Sequence, residues 1–346
     1  MPALYAVTWG RVILDEAHMI RETQTHAYHA ICALDAQRRW ACTGTPVVNR
    51  LDDVYALVRF LQLRPWSSWT FWKTWLTQPM ATPVDDPRRA GHRQTALQLL
   101  QRLMAPLLIR RYKHDRRADG QPIVVLPEKI VEVRYLEMQA DEREVYETLM
   151  RQSSRALRHL RLAGHATYPH VFALLMRLRQ CCDHLRLVRF RELKARRSAK
   201  IDALLALLAS ARRDAPDGRM VVFSQWTRML HVCRAALAAH GFHGLLLDGR
   251  MSAAARERTL RQFPPRPFCV LLASLRAVGV GVNLTAAASA VLLDPWWNES
   301  TEQQAIDRIH RVGQTRPVRV WRFIVRDSVE EKLLAIQKRK AALAVS

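Results

Sequence analysis

A chain of 346 residues is long enough for about two domains with separate cores, and 49% hydrophobic with 25% charged residues excludes both intrinsic disorder and a small stapled scaffold. With 54 Lys and Arg against 31 Asp and Glu the formal charge is +23, which favours a polyanionic partner, nucleic acid first, although Arg heavily outnumbers Lys and the base composition of the coding DNA alone can produce that excess. No apolar run approaches the roughly 20 residues of a membrane span, the start Met1-Pro2-Ala3-Leu4-Tyr5 has no basic flank before an apolar core, and six cysteines without CxxC spacing suggest neither a zinc site nor a disulfide framework, so the expectation is a soluble, unsecreted chain with buried thiols.

Residues 11–15, an apolar run ending in an acid, read as a buried parallel strand that delivers Asp15 and Glu16 to its carboxyl edge. A helix is expected near 24–36, then a short strand Trp40-Ala41-Cys42 entering the turn Thr43-Gly44-Thr45-Pro46. Residues 51–112 have mostly helical spacing, and the tryptophans at 66, 69, 72 and 75 suit a packed hairpin better than a base-stacking platform. The polar, basic segment 112–120 leads to strands within 122–138 that close a first unit. Helical periodicity returns over 141–162 and 170–187, and Arg189–Arg197 is the expected linker. From 198 onward helices and strands alternate: helix 198–212, strand 220–223, helix 227–239, strand 245–248, helix 252–262, strands 268–273 and 290–294, helix 300–311, strand 318–325, helix 328–340. That order implies a parallel sheet covered on both faces, with a protease-resistant core starting near 194–200.

Asp15-Glu16-Ala17-His18 at a strand end offers what nucleotide hydrolysis needs, one carboxylate to hold Mg²⁺ and another to orient and deprotonate water; an isolated Asp-Glu pair is also common at a helix N-terminus. The hydroxyls of Thr43 and Thr45 around Gly44 can switch partners and couple a phosphate-sensing site to a moving neighbour. Downstream, Gln304-Ala305-Ile306-Asp307-Arg308-Ile309-His310-Arg311-Val312-Gly313-Gln314 spaces Arg308 and Arg311 three apart, on one face of the expected helix, where two guanidinium groups can stabilise a transferring phosphoryl group or simply form a solvated basic face.

Together these segments resemble the Swi/Snf (sucrose non-fermenting) branch of superfamily-two helicases. Val12–His18 resembles its motif II, Thr43–Asn49 its motif III, Ser224-Gln225-Trp226-Thr227 motif IV, and Leu247–Ser252 the motif that follows. Ser274–Leu284 with Asp294-Pro295-Trp296-Trp297-Asn298 resembles motif V and its extension, and Gln304–Gln314 motif VI. Leu178–His184 and Thr285-Ala286-Ala287 look most like the subgroup of postreplication-repair translocases and the factor that releases RNA polymerase II from DNA. The resemblance implies two RecA-like α/β lobes with helical protrusions that bind ATP and Mg²⁺ and walk along double-stranded DNA, in a nuclear repair or chromatin-remodelling setting. It implies catalysis by Glu16, Arg308 and Arg311; a metal, ATP or coupling role for Asp15, His18, Thr43, Gly44, Thr45, Gly279, Gly281, Gln304 and Asp307; and DNA contact by Ser224, Gln225, Asp248, Gly249, Arg250, Ser274, Asn283, Trp296 and Trp297.

Three departures qualify that expectation. No Gly-x-x-x-x-Gly-Lys-Ser/Thr loop, which would hold the β- and γ-phosphates, occurs in the sequence, so the first lobe is expected to be incomplete and N-terminally truncated, with 1–140 as its carboxyl part, 141–197 as protrusion and linker, and 198–346 as the second lobe. Val278 and Val48 stand where the family has Gly and Gln, and the first is expected to restrict a loop. Repair members often insert a RING finger, for which there is no Cys/His array. A catalytically inactive DNA-binding or scaffold module is therefore the alternative to a translocase.

Overall fold

The computed structural model describes residues 2–44, 46, 51–81, 90–113, 115–162, 168–188, 198–278 and 281–345. It divides into two compact units, residues 1–115 and 116–346.

In the first unit, β1 (Val12–Leu14) and β2 (Arg39–Ala41) pair in parallel with Ile13 opposite Trp40. They are joined through helix His26–Cys32, whose start is capped by Thr25 accepting from the Tyr28 amide at 3.2 Å. One side of the pair packs on Tyr28, Ala56, Leu57 and Phe60. On the other, Ile13 and Trp40 are 55% and 53% exposed. Helix Asp52–Phe60 is buried along nearly all its length, because it lies between this cluster and a second one built with Trp72, Leu76 and Ala96. The Trp72 indole donates to Asp52 at 3.3 Å, and Trp66 meets the Trp72 and Phe71 rings edge-on. Packing thus accounts for Trp66 and Trp72, while Trp69 and Trp75 stay 44% and 50% exposed.

The second unit is built on a six-stranded sheet of β3 (Lys129–Leu136), β4 (Arg219–Ser224), β5 (His243–Leu247), β6 (Cys269–Ser274), β7 (Ser289–Leu292) and β8 (Val318–Val325), ordered β3-β8-β7-β4-β6-β5 and parallel throughout. Side chains alternate with period two: Val221, Phe223, Leu271 and Ala273 enter one core, and Met220, Val222, Val270 and Leu272 enter the other beneath helices Ala199–Asp214 and Thr227–Ala239. β4 and β6 are buried almost end to end, as a parallel strand covered on both faces must be.

Residues 129–136 correct the sequence-based boundary. Instead of closing the first unit, they pair along their full length with β8 as the outer strand of the second sheet; the alternation that marks them as a strand carries no information about which edge they join. Helices Ala140–Leu162 and Tyr168–Asp183 also pack here. The Tyr146 hydroxyl accepts from the Val329 amide at 2.8 Å, and Arg143 donates to the carbonyls of Arg326 and Asp327, each at 3.0 Å. In the last helix Ser328 accepts from the Glu330 amide and Glu331 from the Asp327 amide, which caps the helix start.

A buried ionic cluster joins three helices. Lys200 Nζ lies 2.7 Å from Asp183 and 2.6 Å from Glu330, with all three side chains fully buried. Burial pushes both carboxyls above their usual range against the pull of the ammonium. Burial also opposes the charge on Lys200, but Asp183 and Glu330 more than reverse it. Cys181 and Cys182 lie beside this cluster as free thiols, and burial pushes Cys181 up to about 12, so both act as core residues. No described helix is long and apolar enough to cross a membrane.

Two expectations follow. Residues 116–346 should melt cooperatively by circular dichroism, whereas 198–346, deprived of β3 and Asp183, should not; the protease-resistant core is therefore expected to begin near 116. Lys200→Met should destabilise the second unit by about 3–5 kcal/mol, because it strands two buried carboxyls. The loss should be larger at pH 8 than at pH 5: the Lys200 contribution is fully present below the ordinary lysine pKa, while the stranded carboxyls, with pKa raised in the folded state, favour folding only where they stay protonated. Denaturant melts at the two pH values check the sign.

Candidate functional site

The parallel pair of the first unit places the acidic segment at the carboxyl end of β1. Leu14 accepts from the Cys42 amide at 2.8 Å, and the Cys42 carbonyl accepts from the Ala17 amide at 2.9 Å, so the loop after β1 is tied to the loop after β2. Asp15 is exposed and accepts the Glu16 amide at 2.9 Å. Glu16 adopts left-handed backbone, φ 49° and ψ 47°, a conformation that costs a non-glycine residue about 1 kcal/mol or more and often marks a functional turn. His18 Nδ1 lies 3.1 Å from Thr43 Oγ and 3.4 Å from a Glu16 carboxylate oxygen. Glu16, His18 and Thr43 are thus in direct contact across the two loops. Gly44 is exposed beside them; Thr45 and Val48 lie outside the described residues.

In the second unit, Ser224, Asp248, Ser274 and Asp294 all sit at or just after the carboxyl ends of parallel strands, on one edge of the sheet. Asp294 is the hub of that edge. Its carboxylate accepts the Ser224 hydroxyl in a short hydrogen bond and the Gln225 amide at 3.1 Å, while Ser224 Oγ accepts from the Trp226 amide at 3.0 Å. Ser274 Oγ accepts from the Ala277 amide at 3.3 Å, and Asp248 from the Arg250 amide at 2.9 Å, leaving Gly249 and Arg250 exposed at a turn.

Trp296 and Trp297 follow Asp294 and are held from behind. Buried Glu302 accepts from the Trp296 amide at 2.6 Å, from Arg322 at 2.5 Å and from Gln337 at 3.0 Å, and Gln337 also donates to the Trp296 carbonyl. Burial pushes the Glu302 carboxyl up, and Arg322 pulls it back. Buried Arg179 donates to the Pro295 carbonyl at 2.5 Å, with its guanidinium 4.7 Å from the Trp297 ring centre. Sequence reasoning singled out the tryptophans but assigned no role to Glu302, Gln337, Arg322 or Arg179. The available signal was a charged or amide side chain on the apolar stripe of a helix or strand.

The segment Gln304–Gln314 departs from expectation. Helix Glu299–Ile306, capped by Asn298, ends before Arg308, so Arg308 and Arg311 stand on successive turns rather than on one helix face. Tertiary bonds outcompete the helix. The Arg308 carbonyl accepts from the Leu284 amide at 3.0 Å, His310 Nε2 lies 2.8 Å from the Pro127 carbonyl, and the Gln314 amide donates to the carbonyls of Thr285, Ala287 and Ile309. Gly313, at φ +99°, supplies the left-handed residue that this reversal needs. Arg308 and Arg311 are half-buried, as are Gln304 and Asp307, and Asp307 accepts from Gln303 at 2.9 Å. Gly281 is left-handed at φ +68°, and Asn283 accepts from the Thr285 amide at 3.1 Å; Gly279 lies outside the described residues. The Val278 side chain is fully buried in the core and its amide bonds to the Ser274 carbonyl at 3.3 Å; the loop it was expected to restrict continues outside the described residues.

The chain matches the SNF2-related domain over residues 2–187 and the helicase conserved C-terminal domain over residues 199–313. It is 32% identical to DNA repair protein RAD5A of Arabidopsis thaliana, covering 97% of this chain and 43% of that protein, and 28% identical to DNA repair protein rad8 of Schizosaccharomyces pombe, covering 97% and 41%. It therefore spans less than half the length of these relatives. The RAD5A alignment extends over 453 residues, more than this chain contains, so that relative carries internal segments with no counterpart here. Among solved structures, the Sulfolobus solfataricus SWI2/SNF2 ATPase core in complex with dsDNA shares 26% identity and a TM-score of 0.53, covering 99% of this chain and 69% of that one. The C-terminal part of the Fun30 ATPase domain shares the fold at 21% identity and a TM-score of 0.53, covering 62% of this chain and 90% of that one. With the SNF2-related model matched across more than half its residues and a helicase C-terminal domain behind it, the chain belongs to the SNF2-related family and has relatives among RAD5-type DNA repair proteins.

Proposed function

We propose that this chain is the motor portion of an ATP-driven double-stranded DNA translocase acting in DNA repair, in the nucleus. The observation that carries the reading is the single sheet edge on which the loops holding Ser224-Gln225, Asp248-Gly249-Arg250, Ser274 and Trp296-Trp297 emerge, in a chain of charge +23. Amides and an exposed arginine on such an edge suit phosphate contacts, which bind duplex DNA with little sequence preference, while buried Ser224 and Ser274 hold the loops by internal hydrogen bonds. Asn283 extends this surface.

The residues of the first unit suit the hydrolytic side. Asp15, an exposed carboxylate with one oxygen engaged by a backbone amide, fits a hard cation such as Mg²⁺, which would offset charge on the phosphates. Glu16 acts as the base that takes the proton from the attacking water. His18 and Thr43 relay the state of that site to the second loop through their hydrogen bond, and the same coupling role is proposed for Gly44 and Thr45. Arg308 and Arg311 stabilise charge on the transferring phosphoryl group, and a supporting role at the nucleotide is proposed for Gln304, Asp307, Gly279 and Gly281.

A second reading, a DNA-binding or scaffold module without turnover of its own, is favoured by one observation: these 346 residues contain no phosphate-binding loop. Phosphoryl transfer is catalysed by positioning, so hydrolysis requires that this loop be supplied from outside them.

Duplex affinity should fall steeply with salt, by about 10³-fold between 50 and 200 mM if some six phosphates are contacted; fluorescence anisotropy titrations at several ionic strengths check this, and a flat profile refutes DNA binding through phosphates. The 346 residues alone should bind duplex without DNA-stimulated ATP turnover, and turnover should appear once a phosphate-loop segment is supplied. In that active form Glu16→Gln should abolish turnover while sparing ATP binding, and Arg308→Ala or Arg311→Ala should each cost about 10³-fold. Absence of turnover in the completed form supports the scaffold reading.

A further inference from the structure

Arg179 lies one helix away from the sheet edge and has no role in the scheme above. It is 1% exposed, and no carboxylate pairs with it among the described residues. Its guanidinium packs 4.7 Å from the ring centre of Trp297 and 6.0 Å from that of Trp226, and Nη2 donates to the Pro295 carbonyl at 2.5 Å. Phe172, from the same helix Tyr168–Asp183, meets the Trp297 ring at 5.5 Å. One buried cation therefore touches both the loop after β4 and the loop after β7.

An arginine kept only for stability is expected to have its donors satisfied and its charge paired. Here Arg179 Nε, Gln225 Nε2, Trp226 Nε1 and Trp297 Nε1 are all buried without an acceptor among the described residues. Unmet donors on the cation itself and on the two indoles beside it cost folding free energy. They also make a positive, donor-rich base for two loops that carry DNA-contact candidates, and a phosphate backbone arriving above them supplies the compensating negative charge.

We infer that Arg179 is a positioning residue for duplex binding: through Trp297, Trp226 and the Pro295 carbonyl it locks the loops after β4 and β7 into the relative arrangement that meets the DNA backbone. The inference rests on the translocase reading, in which those loops contact DNA. Arg179 itself stays buried and acts through the two indoles.

The test measures duplex affinity of the full chain as wild type, Arg179→Met, Trp297→Phe and the double variant, with urea melts of each. Acrylamide quenching without DNA, compared between chains with and without the Trp297→Phe substitution, isolates the Trp297 contribution. Arg179→Met should weaken duplex binding about tenfold, make Trp297 more quenchable, and add less than twofold when Trp297 is already replaced, the signature of coupled residues. Arg179→Lys keeps the charge but not the planar stacking surface, and should fall between Met and wild type. Wild-type affinity in a folded Arg179→Met chain, or full additivity in the double variant, overturns the inference. If Arg179→Met does not fold, wild-type affinity and quenching in Arg179→Lys overturn it instead. A wild-type chain that fails to bind duplex removes the DNA reading, and the quenching comparison then decides separately whether Arg179 holds Trp297.

Discussion

Every strand of the second unit runs in the same direction, and that constraint organises the rest. A parallel pair cannot be joined by a tight turn, so each connection must cross over and return, through a helix in every case here but that from β6 to β7, which buries both faces and leaves all carboxyl ends on one edge. β4 sits between β6 and β7, so residues from loops far apart in sequence become neighbours there. Asp294 exploits this directly, because a single carboxylate reaches the Ser224 hydroxyl and the Gln225 amide only when the ends of β4 and β7 are adjacent.

Around that edge the structure places polar groups inside the fold rather than on its surface. Lys200 joins Asp183 to Glu330, Glu302 gathers Arg322, Gln337 and the Trp296 amide, and Arg179 reaches Pro295. Apolar side chains of the same volume can stabilise such junctions as well or better. What the polar groups add is direction: a hydrogen bond fixes the angle at which a loop leaves the sheet, whereas apolar contact tolerates sliding. The junctions lie where helices 140–162 and 168–183 and the final helix meet the sheet, so the helical additions and the sheet edge form one mechanical body.

The first unit is organised by fewer bonds. Two three-residue strands carry the acidic segment, and the loops beyond them are bound to each other through Ala17, Cys42, His18 and Thr43. His18 stands between Glu16 and Thr43 and touches both. The exposed pair Ile13 and Trp40 lies on the other face of this small sheet, where the Arg11 guanidinium stacks 5.3 Å from the Trp40 ring centre.

Much of this was legible in the sequence because it depends on local pattern. Apolar runs of four to six residues alternating with helical periodicity specify a parallel α/β unit, and Ser198 and Ser252 mark helix starts by hydrogen-bonding chemistry that acts within three residues. Motif spacing likewise marks Asp15, Glu16, His18 and Thr43. What the tertiary structure alone decided is partnership across long separations. Whether residues 129–136 join the first sheet or pair with 318–325 depends on which exposed strand edge they meet, and alternation is identical in both cases. The helix expected through residue 311 stops at 306 because Leu284, Pro127 and the 285–287 carbonyls capture groups that local periodicity assigns to the helix. Arg179 shares its helix with Arg177, and nothing local to the sequence marks which of the two is buried; only the approach of Trp226 and Trp297, 47 and 118 positions later in the chain, makes Arg179 a buried cation, since burial is a property of the neighbours the fold brings in and not of the residue itself.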